Sequence, residues 1–196
     1  MKGEHAEFDL CEGDALILVD VQNDFLPGGA LAVAAGDEVV PVANRYMAQF
    51  RSRNFPVFAS RDWHPANHCS FAAAGGPWPP HCVSGTGGAA FAGALDPLAG
   101  EEVISKATRL DADAYSAFDG TDLAGRLAAL GIRRVLVLGL ATDYCVLATV
   151  RDALANGLVV VVPRDGVRAV DVEPGDGERA LAAMSDAGAM LIGPGE

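Results

Sequence analysis

Long apolar runs are missing from this chain. The longest, such as Ala15–Val19 and Leu158–Pro163, stop at about five or six residues, against the roughly 20 needed to cross a bilayer. Basic residues are scarce as well: 14 Lys and Arg stand against 26 Asp and Glu, a net charge of −12, and no basic cluster occurs. A surface of that sign repels phosphate backbones, so no nucleic-acid partner is expected. Glu4, Glu7, Asp9, Glu12 and Asp14 precede the first apolar run, the wrong charge for a secretory leader. The four cysteines (11, 69, 82 and 145) lack framework spacing, and 196 residues can bury a core without a covalent staple. These absences predict a cytoplasmic chain with reduced thiols and no membrane association. With 51% hydrophobic and only 20% charged residues, disorder is also excluded.

What is present is alternation. Short apolar runs predict strands at Ala15–Val21, Pro56–Ser60, Glu102–Ser105, Arg134–Leu138, Leu158–Val162 and Ala189–Ile192. Between them, 36–53 has helical spacing, with Pro41 in its first turn, where a missing N–H costs little. A helix of about ten residues, capped by Thr121 or Asp119, stops at Gly131; another runs from Thr142 to Asn156 and Gly157, and a last one from Asp176 to Ala187. The pattern predicts one α/β domain over 1–196, a three-layer α/β/α Rossmann-like fold with a mainly parallel six-stranded sheet. About 65–100 is a Gly/Pro-rich excursion, long enough to be expected to form part of a site.

Chemistry-bearing residues follow four of the strands: Asp20, the pair Asp62 and His64, Lys106, and Cys145. An open parallel sheet gathers whatever lies beyond its strands' carboxyl ends into one crevice. With Thr142 as N-cap, Cys145 would be the third helical residue, where free amides favour a thiolate. A lone cysteine otherwise reads as a small buried hydrophobe. Asp20 ends an apolar run, a costly place for a carboxylate without a partner; capping a turn is its plainer role, though Asp24 could do that instead. Lys106 alone reads as a solvated lysine. Together, the three predict an acid, an ammonium and a thiol that shift one another's ionisation, with Asp20 taking the thiol proton. Asp62, His64 and His81 form a candidate set for a divalent transition metal with open positions, the alternation of an extended segment putting Asp62 and His64 on one face. Cys82 is left out, because adjacent residues rarely face one ion.

The segments VDVQNDF (19–25), RDWHPANH (61–68), WPPHCVSGT (78–86), KATRLDADAYSAFDG (106–120), GLATDYCV (139–146) and DGVRAV (165–170) together resemble the nicotinamidases (pyrazinamidases), metal-binding amidases among the isochorismatase-like cysteine hydrolases. The likeness covers nearly the whole chain. It implies Asp20, Lys106 and Cys145 as catalytic residues and Asp62, His64 and His81 as ligands of one zinc, iron or manganese ion. It further implies Phe25 and Trp78 around a pyridine ring, a cis Leu140–Ala141 peptide, and an oxyanion hole from the amides of Ala141 and Cys145. His68 matches a position that ligates in some members only. Ala107 stands where relatives usually carry glycine, and Cys69 where several have a small residue. The implied activity is deamidation of nicotinamide, with pyrazinamide as a further substrate, serving NAD salvage without a nucleotide cofactor. The partner is then a small amide, with a homo-oligomer left open. Two rivals remain at this point: an N-carbamoyl or ureido amidohydrolase of the same superfamily, whose members generally lack the Asp62/His64/His81 set, and a non-catalytic metal-binding scaffold.

Overall fold

A computed structural model describes residues 9–96 and 98–193. The strands are β1 (Asp14–Val19), β2 (Val57–Asp62), β3 (Glu102–Lys106), β4 (Arg134–Leu140), β5 (Val159–Pro163), β6 (Val167–Arg168) and β7 (Met190–Ile192); the α-helices are α1 (Val39–Ser52), α2 (Leu123–Ala129), α3 (Leu147–Ala155) and α4 (Asp176–Asp186). The order across the sheet is β3-β2-β1-β4-β5-β7, with β6 on β4, and every pairing is parallel. All six expected strands form. The seventh, β6, is too short to show a pattern; it pairs Val167 and Arg168 with Gly139 and Leu140, beyond the last β5 partner, Leu136.

Both faces of the sheet are covered, which is why its strands read as continuous apolar runs rather than alternating ones. Leu16 and Leu18 of β1 pack with Val40, Ala43, Met47 and Phe50 of α1. Ala15, Ile17 and Val19 face the other way, into a second core with Leu123 and Leu127 of α2, Val150 of α3 and Met184 of α4. The chain runs outward from β1 to β2 and β3, then returns to β4 on the other side of β1. That reversal between β1 and β4 opens the crevice in which such sheets bind ligands.

Several boundaries differ from the sequence reading: β2, β3 and β4 run on to Asp62, Lys106 and Leu140, and further differences reshape the site. β1 stops at Val19 rather than Val21, because Asp20 turns into the left-handed region (φ 50°). After β4, Thr142 is not the N-cap. Ala141 holds that position, and Thr142–Val146 form a single π-helical turn ahead of α3, so Cys145 is its fourth residue. The Ala141 carbonyl accepts the amides of Tyr144 and Val146 at 3.1 Å each, passing over that of Cys145. Helix α2 begins at Leu123 with Asp122 as its cap residue, while the expected Thr121 still supplies an oxygen to the Leu123 amide at 3.3 Å.

At the opposite end of the sheet, Asp14 ties β1 to β4. Arg134 Nε and Nη2 donate to its two oxygens at 2.8 and 2.6 Å, and the Cys11 amide donates at 2.7 Å. Burial pushes the Asp14 carboxyl up, but these donors outweigh it and hold the group below the usual carboxylate range. A depressed carboxyl stabilises the fold above its unfolded value, about 3.9, and that contribution fades as pH falls through the folded value. Arg134→Met should therefore cost about 2 kcal/mol at pH 7, the scale of charge-assisted hydrogen bonds. Urea titrations should show the gap to wild type narrowing below about pH 4; a gap that stays constant with pH would contradict this account.

Candidate active site

Strand register places the site. Asp62 and Lys106 are paired neighbours at the ends of β2 and β3. Val19, just before Asp20, lies opposite Gly139 of β4. A Cβ at Gly139 would fall 2.0 Å from the Val19 carbonyl oxygen, and its φ is +134°, so only glycine lets β4 run this close to β1.

Lys106 is almost fully buried and sits at the centre. Its Nζ lies 2.5 Å from Asp62 Oδ1, 2.9 Å from Asp20 Oδ2, 3.1 Å from the Ala114 carbonyl and 3.4 Å from Cys145 Sγ. Burial favours the neutral amine, but Asp20 and Asp62 outweigh it and keep the ammonium well protonated. Ser60 Oγ donates to Asp20 Oδ1 at 2.7 Å. Asp20 Oδ2 has the lysine beside it yet no aligned hydrogen-bond donor. One oxygen each of Asp20 and Asp62 and the Cys145 sulfur all lie within 4.8 Å of one another. Burial raises the Asp20 carboxyl above its ordinary value, with Lys106 pulling it back. Burial also pushes the Cys145 thiol well up, opposed by Lys106 and reinforced by the two carboxylates. The resting group is thus a thiol beside a buried carboxylate, not a free thiolate. Lys106 is followed by Ala107 at φ 50°, a left-handed conformation that glycine adopts freely. An alanine in that conformation costs roughly 1 kcal/mol.

Beside this cluster, ligand atoms of Asp62, His64 and His81 also lie within 4.8 Å of one another. His64 is buried, and neither ring nitrogen has a hydrogen-bond partner. A buried, unpaired imidazole is costly unless something else takes its lone pair. His81 Nδ1 is held by the Pro79 carbonyl at 2.8 Å, which puts the proton on Nδ1 and leaves Nε2 as a donor atom for a cation. Asp62 Oδ2 is 3.7 Å from His64 Nε2. Two imidazoles and a carboxylate with these loose ends fit a metal ion. His68 does not join the set: its Nε2 contacts the Ala112 carbonyl at 3.1 Å and its Nδ1 the Ser70 hydroxyl at 2.7 Å. Cys69 Sγ is 4.0 Å from that same Nε2 and is not in the cluster of Asp62, His64 and His81 ligand atoms.

Phe25, Leu31, Trp78, Tyr115, Tyr144 and Val170 wall a narrow cavity that reaches Cys145, Ala141, Asp62 and His81. Phe25 and Trp78 thus both border it, as do the two residues whose amides were expected to hold an oxyanion. The Leu140–Ala141 peptide is cis. Tyr115 and Tyr144 were not singled out from sequence, although each lies within a quoted segment. The Trp78 indole N–H donates to the Tyr115 hydroxyl at 3.0 Å, and Tyr144 meets the Trp78 ring edge-on at 5.1 Å. Ser60 was missed as well, since a strand serine carries no sign of what its hydroxyl will meet.

The isochorismatase domain family model matches residues 14–193. The nicotinamidase of Escherichia coli (strain K12) is 44% identical over 198 residues, covering 90% of this chain and 93% of that protein. Among solved structures, the pyrazinamidase of Pyrococcus horikoshii in complex with zinc superposes with a TM-score of 0.88 at 47% identity, covering 93% of this chain and 99% of that one. PnC1 from L. infantum in complex with nicotinate gives 0.86 at 42% identity, covering 93% of each.

Proposed function

The chain belongs to the isochorismatase domain family, and from that membership together with its site we propose that it hydrolyses nicotinamide to nicotinate and ammonia, pyrazinamide being a second substrate. The observation that carries this reading is the fully buried Asp20 carboxylate, one oxygen of which lies within 4.8 Å of the Cys145 sulfur while Oδ2 sits 2.9 Å from the Lys106 ammonium. A scaffold has no use for a proton acceptor next to a protonated thiol. The family match over 14–193 supports treating residues 1–196 as one hydrolase domain.

The heteroaromatic ring enters between Phe25 and Trp78 with its carboxamide toward Cys145. Asp20 accepts the thiol proton as sulfur bonds to the carboxamide carbon. The oxygen that gains charge is held by the Ala141 and Cys145 amides, a contribution of about 3 kcal/mol in such sites. Carbon–nitrogen cleavage follows, Asp20 returning its proton to the departing ammonia. Water then adds to the thioester while Asp20 takes its proton, and the same proton restores the thiol as nicotinate leaves. Lys106 remains an ammonium throughout and balances Asp20 and Asp62. Asp62, His64 and His81 would hold one divalent ion, zinc, iron or manganese, which supplies a Lewis-acidic anchor for the ring nitrogen. The reaction is redox-neutral and calls for no nucleotide.

Purified metal-loaded protein should release ammonia from nicotinamide, and faster than from N-carbamoylsarcosine. Chelation should lower kcat/KM for nicotinamide by about a hundredfold, the scale of lost metal contacts worth several kcal/mol, and added zinc or manganese should restore it. No release from nicotinamide, or preference for the N-carbamoyl compound, would overturn the assignment.

A further inference from the structure

Asp62 serves both halves of the site: Oδ1 meets Lys106 and Oδ2 faces His64. Its own position must therefore be set from elsewhere. The Gln22 side chain does this. Fully buried, its Oε1 accepts the Asp62 amide at 2.8 Å, while its Nε2 donates to the Asp62 carbonyl at 2.8 Å and to the Ala89 carbonyl at 2.9 Å. One carboxamide thus grips the peptide groups on both sides of Asp62, and its second proton ties them to the Gly/Pro-rich excursion that carries His81.

The neighbours of Gln22 strengthen the tie but act farther from Asp62. Asn23 Nδ2 donates to the Gly87 carbonyl at 2.8 Å, and Asp24 Oδ2 accepts the Cys82 amide at 2.7 Å. A Cβ at Gly88 would lie 2.2 Å from Asp24 Oδ2, so glycine is required for this approach. Among the described residues, Gln22 is the one side chain seen to hold a member of the candidate ligand set through both of that residue's peptide groups.

We propose that Gln22 is a positioning residue that presets the metal-ligand geometry, holding the Asp62 carboxylate and the His81-bearing excursion in register before an ion arrives. This rests on the proposed metal site. Ligand atoms must sit within a few tenths of an ångström of their places for tight binding, and groups that orient ligands typically matter by 10–100-fold in affinity.

The test is zinc binding to chelator-stripped full-length protein, read by competition with a chromophoric chelator and without substrate. Gln22→Glu keeps the length but loses both donated hydrogen bonds; Gln22→Met keeps the shape without adding charge. Each should weaken zinc binding by about tenfold or more. Asn23→Ala, which removes a clasp bond on the same loop, should change it less than about twofold while lowering thermal stability. A merely structural role for Gln22 would lower stability in all three variants and leave zinc affinity intact. That result overturns the proposal, as would failure of both Gln22 variants to fold, which would make the side chain a support of the whole domain. Wild-type protein that binds zinc but spares nicotinamide would sink the assigned reaction and leave this inference standing; wild type that binds none of zinc, iron(II) or manganese(II) would sink both the metal site and this inference.

Discussion

Cys145→Ala protein should deamidate nicotinamide at least about 10⁴-fold more slowly than wild type, the scale of losing a covalent nucleophile. No neighbouring group can replace the sulfur. Within its reach are carboxylates and an ammonium engaged with one another, and Cys82 Sγ is buried with its thiol pushed far up by burial and by three nearby aspartates. The variant should fold normally, since the substitution removes one sulfur atom from a packed position. Cys145→Ser should be nearly as inactive. An alcohol proton is far harder to remove than a thiol proton, and Asp20, even with its carboxyl raised by burial, is too weak a base for it. Ammonia release and trapping of a thioester with labelled nicotinamide check both statements. Turnover by Cys145→Ala within tenfold of wild type would mean that sulfur takes no covalent part.

Lys106→Met should damage folding and chemistry together. It leaves Asp20 and Asp62 facing one another, 0% and 5% exposed, with no cation between them. Removing one partner of a buried ionic group costs about 3–5 kcal/mol, which for a chain this size lowers Tm by roughly 10 °C. The variant's stability should also depend on pH in the opposite sense from that of the Asp14 contact. The Asp20 carboxyl is already raised by burial, and it loses the charge that pulls it back. Its folded form then binds a proton that its unfolded form releases, so stability falls as pH rises. Thermal melts should show the deficit shrinking from about pH 8 to about pH 5. Protonated Asp20 cannot accept the thiol proton, so turnover should fall by about 10³-fold or more. Adding Asp20→Asn should restore much of the stability and none of the activity. A Lys106→Met protein that melts within two or three degrees of wild type at neutral pH would show that the lysine is not what balances these acids.

The sequence was most legible where one physical cause dominates. The strands were visible because both faces of the sheet are buried, so β1 and β5 read as unbroken apolar runs. The convergence of the candidate site was legible because parallel topology brings every strand's carboxyl end together, so Asp20, Asp62, Lys106 and Cys145 needed only to lie at or just beyond strand ends. Legibility failed where a position depends on a partner far along the chain. Ser60 and Gln22 are ordinary polar residues until the fold puts Asp20 beside one and the Asp62 peptide groups beside the other. Helix-start rules favoured Thr142 as the cap, but the π-helical turn is already wound at that residue, which moves Cys145 one place farther in. His68 has the residue type and proximity of a ligand, yet Ser70 and Ala112 occupy both its nitrogens.

From its residues alone the chain determined the layered α/β architecture and the sheet edge on which Asp20, Asp62, Lys106 and Cys145 meet. Those follow from burial periodicity and chain direction, which are local properties. Tertiary structure decided which carboxylate oxygen is left without a donor, which imidazoles keep free nitrogens, and which rings wall the cavity. Those outcomes depend on distances of a few ångströms between segments tens of residues apart, and only the packed fold sets them.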